Sequence, residues 1–213
     1  MIRGVVFDVG EVLVDETRMW SDWADRLGVP RHTFSAVFGA VIARGRDHRE
    51  TFPLLVPGFD PEQLRSAGPD RLGDDDLYPD VRPTLHLLRA AGLWLGVAGN
   101  QPATFGAAVR ALDLPVDLVS TSEELGAEKP DPAFFAAVER RAPYPAAELL
   151  YVGDRLDNDV RPAAARGFRT ALLRRGPWAV IQQEDPDVER VPTMRIDGLG
   201  ELPGRIAAVD GGG

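Results

Sequence analysis

Three apolar runs in this 213-residue chain each lead into a side chain that can bind a cation or an anion. Gly4-Val5-Val6-Phe7 runs into Asp8, Leu93 to Ala98 runs through Gly99 into Asn100, and Leu149 to Gly153 runs into Asp154. Any one of these is ordinary, because Asp and Asn also cap helices and occupy turns. Three of them after matched runs point to chemistry gathered at one edge of the fold. A fourth residue stands apart by type: of 24 basic residues, 23 are arginine and one is lysine, Lys129. Its ammonium is a compact point charge on a flexible stem, and it suits a crowded pocket differently from a planar guanidinium. Asp159 and Glu11 place further carboxylates close behind Asp154 and Asp8. Side chains of this type serve as metal ligands, nucleophiles or acid–base groups.

The same runs define the elements that must hold these residues. Being short, apolar and bounded by turn residues, they predict buried strands. Val116 to Ser120, Thr170 to Leu173 and the weaker Met194 to Ile196 complete six candidates. Helices are expected between them: Asp80 to Ala91 ahead of Gly92, Pro102 to Leu112 and Pro132 to Arg141 with Pro in the first turn, and Asp157 to Arg166 ahead of Gly167. This alternation predicts an α/β fold, a Rossmann-like parallel sheet between helical layers. Ligands in such sheets bind beyond the carboxyl ends of the strands, near the reversal of strand order.

Residues 15–78 break the pattern. They hold no convincing strand but four helical stretches: Glu16 to Leu27, Pro30 to Arg44, His48 to Leu55 and Pro61 to Ala67. Connections either side of a crossover helix usually run about 2 to 6 residues, so this length predicts a small all-helical cap domain inserted after the first strand. The division is then residues 1–14 as core, 15–78 as cap and 79–213 as core. Pro57 to Pro61 reads as a turn within the cap, and Gly73 to Asp76 as a polar hinge leaving it. Trp20, Trp23, Phe34 and Phe38 recur at near-helical spacing and predict the cap's own core. Ala43 to Arg49 concentrates three arginines and a histidine, so Arg46 is a candidate for meeting an anion, against the alternative of a solvated helix end. Gly176 to Pro192 is polar and broken by proline, which predicts a surface excursion, and Gly211 to Gly213 predicts a frayed end.

Composition narrows the chemistry. With 44% hydrophobic and 27% charged residues the chain can build an ordinary core. A formal charge of -9 argues against a nucleic-acid partner, which needs a basic footprint, so any anionic ligand must be welcomed locally. Cysteine is absent, which excludes disulfides, thiolate nucleophiles and Cys-based metal sites. Asp8 interrupts the N-terminal apolar run too early for a signal peptide, and no run approaches the roughly 18 residues of a membrane span. A cytoplasmic protein without a membrane partner is expected, with monomer and homodimer both open.

The chain resembles the haloacid dehalogenase-like superfamily of hydrolases. Its first motif is matched by Val5-Val6-Phe7-Asp8-Val9-Gly10-Glu11-Val12-Leu13, its second in position by Gly99-Asn100, its third by Glu128-Lys129-Pro130-Asp131-Pro132, and its fourth by Gly153-Asp154-Arg155-Leu156-Asp157-Asn158-Asp159. The helical insert matches the type-I cap of the family, and the resemblance spans residues 5 to about 173. It implies Asp8 as nucleophile and Mg2+ held by Asp8, Asp154 and the Gly10 carbonyl, with Asp159 contributing through water. Lys129 would hold the Asp8 carboxylate and a phosphate together, and the helix beginning near Pro102 would offer free N–H groups to that phosphate. Asp157 is as readily a helix cap as a ligand. Three carboxylates at one edge would repel one another unless a cation joined them, and magnesium favours such hard oxygen ligands. A phosphatase of a small phosphorylated metabolite, working through an aspartyl-phosphate, is the expectation.

Two positions depart from the family pattern. Gly10 stands where its phosphatases usually carry a second Asp as general acid and base, a group whose loss costs roughly 100- to 10,000-fold in rate. Either Glu11 reaches the leaving group from one position over, or the leaving group departs unassisted, or phosphate hydrolysis is weak. Gly99 stands where a hydroxyl normally bonds the phosphate, a loss of about 0.5 to 1.5 kcal/mol; its N–H and the Asn100 amide are the candidate substitutes. A dehalogenase-type hydrolase needing no second Asp, and an inactive protein that binds a phosphorylated ligand, are the rival readings.

Overall fold

The computed structural model describes residues 1–60 and 72–211. Its centre is a parallel sheet of six strands: β1 (Gly4–Phe7), β2 (Trp94–Gly99), β3 (Leu118–Thr121), β4 (Leu149–Gly153), β5 (Arg169–Leu173) and β6 (Met194–Ile196). They lie in the order β3-β2-β1-β4-β5-β6. Phe7 sits opposite Val97 on one side and Val152 on the other, so β1 is flanked by strands that end level with it.

Alternate residues of each strand feed opposite faces, and both faces are covered. Val5, Phe7, Leu95, Val97, Leu150 and Val152 pack with apolar residues of the helices Val81–Ala90, Ala103–Ala111 and Leu202–Gly211. Val6, Ala98, Leu149 and Tyr151 pack against Phe134, Phe135 and Val138 of the helix Pro132–Arg141 and Ala163 of Arg161–Arg166. Burial on both sides is why these strands read as unbroken apolar runs. The segment expected as one helix over Asp157 to Arg166 opens instead with a π-helical turn, Leu156–Val160, before the regular helix Arg161–Arg166.

Within 15–78 the described residues form the α-helices Thr17–Arg26, Arg31–Ile42 and Thr51–Leu55, and no strand. The helix expected over Pro61 to Ala67 lies outside the described residues. Phe34, Phe38, Ile42 and Phe52 make a separate apolar cluster, with Trp20 and Trp23 packed against it. Chain entry and exit run side by side: Asp15 N–H donates to Asp76 O (2.8 Å), and Tyr78 N–H donates to Leu13 O (3.0 Å). Arg18 clasps the Asp76 carboxylate through Nε (2.6 Å) and Nη2 (2.8 Å), so the polar stretch Gly73 to Asp76 is anchored at its end.

The segment 176–192 departs from the expected surface excursion. It forms the helices Gly176–Ile181 and Asp187–Arg190, and Trp178 joins the aromatic cluster of the insert. The ring of Trp178 meets Phe38 at 5.3 Å and His48 at 5.6 Å, so this element joins core to insert. Its buried residues, Trp178, Ala179 and Val188, are too few among Pro and acidic residues to show a period. No described helix is long and apolar enough to cross a membrane.

Candidate active site

Strand order reverses around β1: β2 and β3 are added on one side, β4 to β6 on the other. The crevice beyond the carboxyl ends of β1 and β4 is therefore the expected ligand site, and Asp8 and Asp154 are the residues at those two ends. Asp8 N–H donates to Val152 O (2.9 Å), continuing the ladder one residue past β1 and fixing where its side chain starts. Asp8, Asp154 and Asp159 each present a carboxylate oxygen within 4.8 Å of the others, and all three are buried. The π-helical turn after β4 brings Asp159 back, its Oδ2 accepting Arg155 N–H at 3.0 Å.

Lys129 is 3% exposed and reaches this cluster from the far side. Its Nζ donates to Asp159 Oδ1 (2.6 Å) and lies 2.7 Å from Asp8 Oδ1 as an ion pair. Burial alone would push Lys129 down, but the Asp159 and Asp8 carboxylates override it and hold the ammonium well above its ordinary range. One lysine cannot neutralise three carboxylates. Burial, with Asp159, Asp8 and Glu11 adding repulsion, pushes Asp154 well up. Asp159 is raised by burial to about 6 even though Lys129 pulls the other way. Asp154 Oδ2 is buried without a hydrogen-bond donor among the described residues, while Asp8 Oδ1 meets the Lys129 ammonium. A donor-less acceptor among three buried carboxylates that share one lysine is what a hard divalent cation satisfies, and the residues present fit one.

Asn100 does not face outward with a free amide. Its Oδ1 accepts Lys129 N–H (2.7 Å) and its Nδ2 donates to Lys129 O (2.8 Å), so it clamps the backbone that carries the lysine. The Lys129–Pro130 peptide is cis. Nor does the helix Ala103–Ala111 present its first N–H to a ligand: Ala103 donates to Glu123 Oε2 at 2.6 Å. Arg46, a candidate for meeting an anion, is exposed and pairs with Glu50, four residues on.

The two glycines that break the family pattern are occupied spaces. An ideal Cβ at Gly99 would lie 2.4 Å from Gln101 Oε1 and 2.5 Å from Asp8 Oδ1. A Cβ at Gly10 would lie 2.3 Å from Glu16 Oε1 and 2.8 Å from its Cδ. Sequence reasoning passed over both Gln101 and Glu16. The available signal was a carboxylate and a carboxamide a few residues beyond glycines that replace a carboxylate and a hydroxyl. Glu11 adopts a left-handed backbone (φ 54°), and its carboxylate accepts Tyr78 OH (2.6 Å) and Glu16 N–H (3.3 Å). Burial raises Glu11, with the Tyr78 and Glu16 bonds opposing. Burial and the neighbouring Glu11 carboxylate, with Asp8 adding to them, take Glu16 up to about 8, against the Trp20 hydrogen bond. Arg155 was also missed: it stacks over Trp178 (4.7 Å to the ring centre) and pairs with Asp157 (2.9 Å), linking the acidic edge to the insert.

The doubly covered parallel sheet and its lysine-countered acidic edge define an α/β class with a site at the switch point. Residues 2–167 match the haloacid dehalogenase-like hydrolase family, and the chain belongs to it. It is 32% identical to a glyceraldehyde 3-phosphate phosphatase of Methanopyrus kandleri, over 95% of this chain and 96% of that protein. Similarity to phosphoglycolate phosphatase 1 of Pseudomonas aeruginosa is 29% over 89% of this chain and 65% of the relative. Among solved structures, the magnesium-bound HAD-hydrolase YfnB of Bacillus subtilis shares the fold, with a TM-score of 0.71, 19% identity and coverage of 95% and 97%.

Proposed function

We propose that this chain is a magnesium-dependent phosphatase of a small phosphorylated metabolite, with Asp8 as nucleophile. The observation that carries the reading is the meeting of Asp8, Asp154 and Asp159 within 4.8 Å, countered on one side by Lys129. Similarity along nearly the whole chain to a phosphatase named for a three-carbon sugar phosphate supports a substrate of that size.

Asp8, Asp154 and the Gly10 carbonyl would hold Mg2+, with Asp159 behind them; when bound, the ion supplies positive charge that lets a phosphate dianion approach a carboxylate. An Asp8 oxygen attacks phosphorus in line with the leaving oxygen, giving an aspartyl-phosphate that water then cleaves. Lys129 holds Asp8 in place and offers its remaining donor capacity to a phosphate oxygen. Asn100 fixes the lysine's backbone on both sides of one residue, which limits how far Nζ can stray. The donor-less oxygen of Asp154, buried beside Asp8 and Asp159, favours this reading over a metal-free dehalogenase, which has no use for a cation seat.

The test is phosphate release from a panel of phosphorylated metabolites, with Mg2+ and with EDTA. Release should require Mg2+, and Asp8→Asn should reduce it to background. Equal activity of the two proteins, inertness of both, or halide release from haloacids without a metal would each overturn the reading.

A further inference from the structure

Breaking a phosphate ester leaves an alkoxide that needs a proton, and cleaving an aspartyl-phosphate needs a base for water. Asp8, Asp154 and Asp159 are taken by the nucleophile and cation roles. Two other carboxylates adjoin the site, Glu11 and Glu16. Glu11 is engaged at both oxygens, by Tyr78 OH and by Glu16 N–H, and its side chain packs against Gly176.

Glu16 is placed differently. It stands at the start of the helix Thr17–Arg26 yet makes no capping bond to that helix. Instead its carboxyl folds back over Gly10, two residues past the nucleophile, where Oε1 lies 2.3 Å from the point at which a Cβ would sit. Gly10 does not have a left-handed backbone, so what an L side chain would meet there is the Glu16 carboxyl and not a conformational barrier. Trp20 Nε1 donates to Glu16 Oε2 at 3.0 Å and leaves Oε1 as the oxygen turned toward Gly10. The aromatic cluster of the insert thereby aims the acid.

We propose that Glu16, seated over Gly10 by Trp20, is the general acid and base of this site. The assignment rests on the phosphatase reading. In the first half-reaction an Asp8 oxygen bonds to phosphorus, the ester P–O bond breaks, and the Glu16 proton goes to the departing oxygen. In the second, water loses a proton to the Glu16 carboxylate and bonds to phosphorus, the Asp8–phosphorus bond breaks, and both side chains return to their starting forms. The sum is ester plus water to alcohol plus phosphate.

The test compares glyceraldehyde 3-phosphate, whose alkoxide needs a proton, with p-nitrophenyl phosphate, whose nitrophenolate leaves without one. Glu16→Gln should lose roughly 100- to 10,000-fold on the alkyl ester. On the nitrophenyl ester it should release one equivalent of nitrophenolate per site in a burst, then stall for want of a base. Equal loss on both esters without a burst, or no loss on either, would overturn the assignment. A folding defect in Glu16→Gln is separated by moving the acid: Glu16→Ala with Gly10→Asp should turn over the alkyl ester at least tenfold faster than Glu16→Ala alone, and equal rates would count against the proposal. A wild type inert on both esters would remove the phosphatase reading and Glu16's role with it; a wild type that is active and Asp8-dependent, beside an unimpaired Glu16→Gln, would remove the Glu16 role alone.

Discussion

Gln101 shows how much a missing Cβ can decide. Its carboxamide occupies the space beside Asp8 that a side chain at position 99 would enter, and its Oε1 is buried without a donor. Turned over, the amide presents Nε2 to the same space, where a phosphate oxygen would supply the missing partner. Gln101→Ala should therefore raise KM by roughly 2- to 13-fold, the equivalent of about 0.5 to 1.5 kcal/mol, with kcat little changed. Steady-state kinetics that show KM unmoved would contradict this. Which residues were legible follows from what each role depends on. Asp8, Asp154 and Lys129 announce themselves through position after a strand or through scarcity of type. Glu16 and Gln101 do not, because their roles exist only once they fold back onto Gly10 and Gly99. Arg46 misled for the opposite reason: its partner Glu50 is four residues away, and the local pair holds it at the surface.

At the level of elements, the contact between insert and core is made of aromatic rings around a histidine. His48 lies 5.7 Å from Trp20, 5.9 Å from Phe38 and 5.6 Å from Trp178, ring centre to ring centre. Burial takes its pKa down to about 4, against the pull of the adjacent Asp47 carboxylate. Between about 4 and 6.5 the unfolded chain then holds the extra proton, so this histidine makes stability fall as pH falls through that window, by up to ~1.4 kcal/mol per unit. Urea melts at pH 7 and pH 5 should show a smaller loss in His48→Gln than in wild type, and identical losses would contradict the expectation. The strands were readable because burial on both faces leaves no polar alternation to interpret. The helix carrying Trp178 was not, since six residues cannot show a period and its burial comes from a distant part of the chain.

For the whole molecule, the strand order is what turns scattered residues into a site. Asp8, Lys129 and Asp154 belong to chain segments far apart in sequence; β1 and β4, neighbours across the switch point, bring the two carboxylates together, and Asn100 at the end of β2 holds the lysine's backbone. A chain of formal charge -9 repels anions at long range, so attraction for any anionic ligand must be generated at that edge. Lys129 begins that work, and the unmatched oxygen of Asp154 beside Asp8 and Asp159 marks where a cation would complete it. The most direct test is to quench the enzyme during turnover with Mg2+ and substrate and locate the phosphoryl group by peptide mass spectrometry. The account predicts one phosphoryl group on the peptide carrying Asp8, absent when Mg2+ is withheld. Turnover with the phosphoryl group on another residue, or with no protein-bound phosphoryl group at any time during turnover, would contradict it.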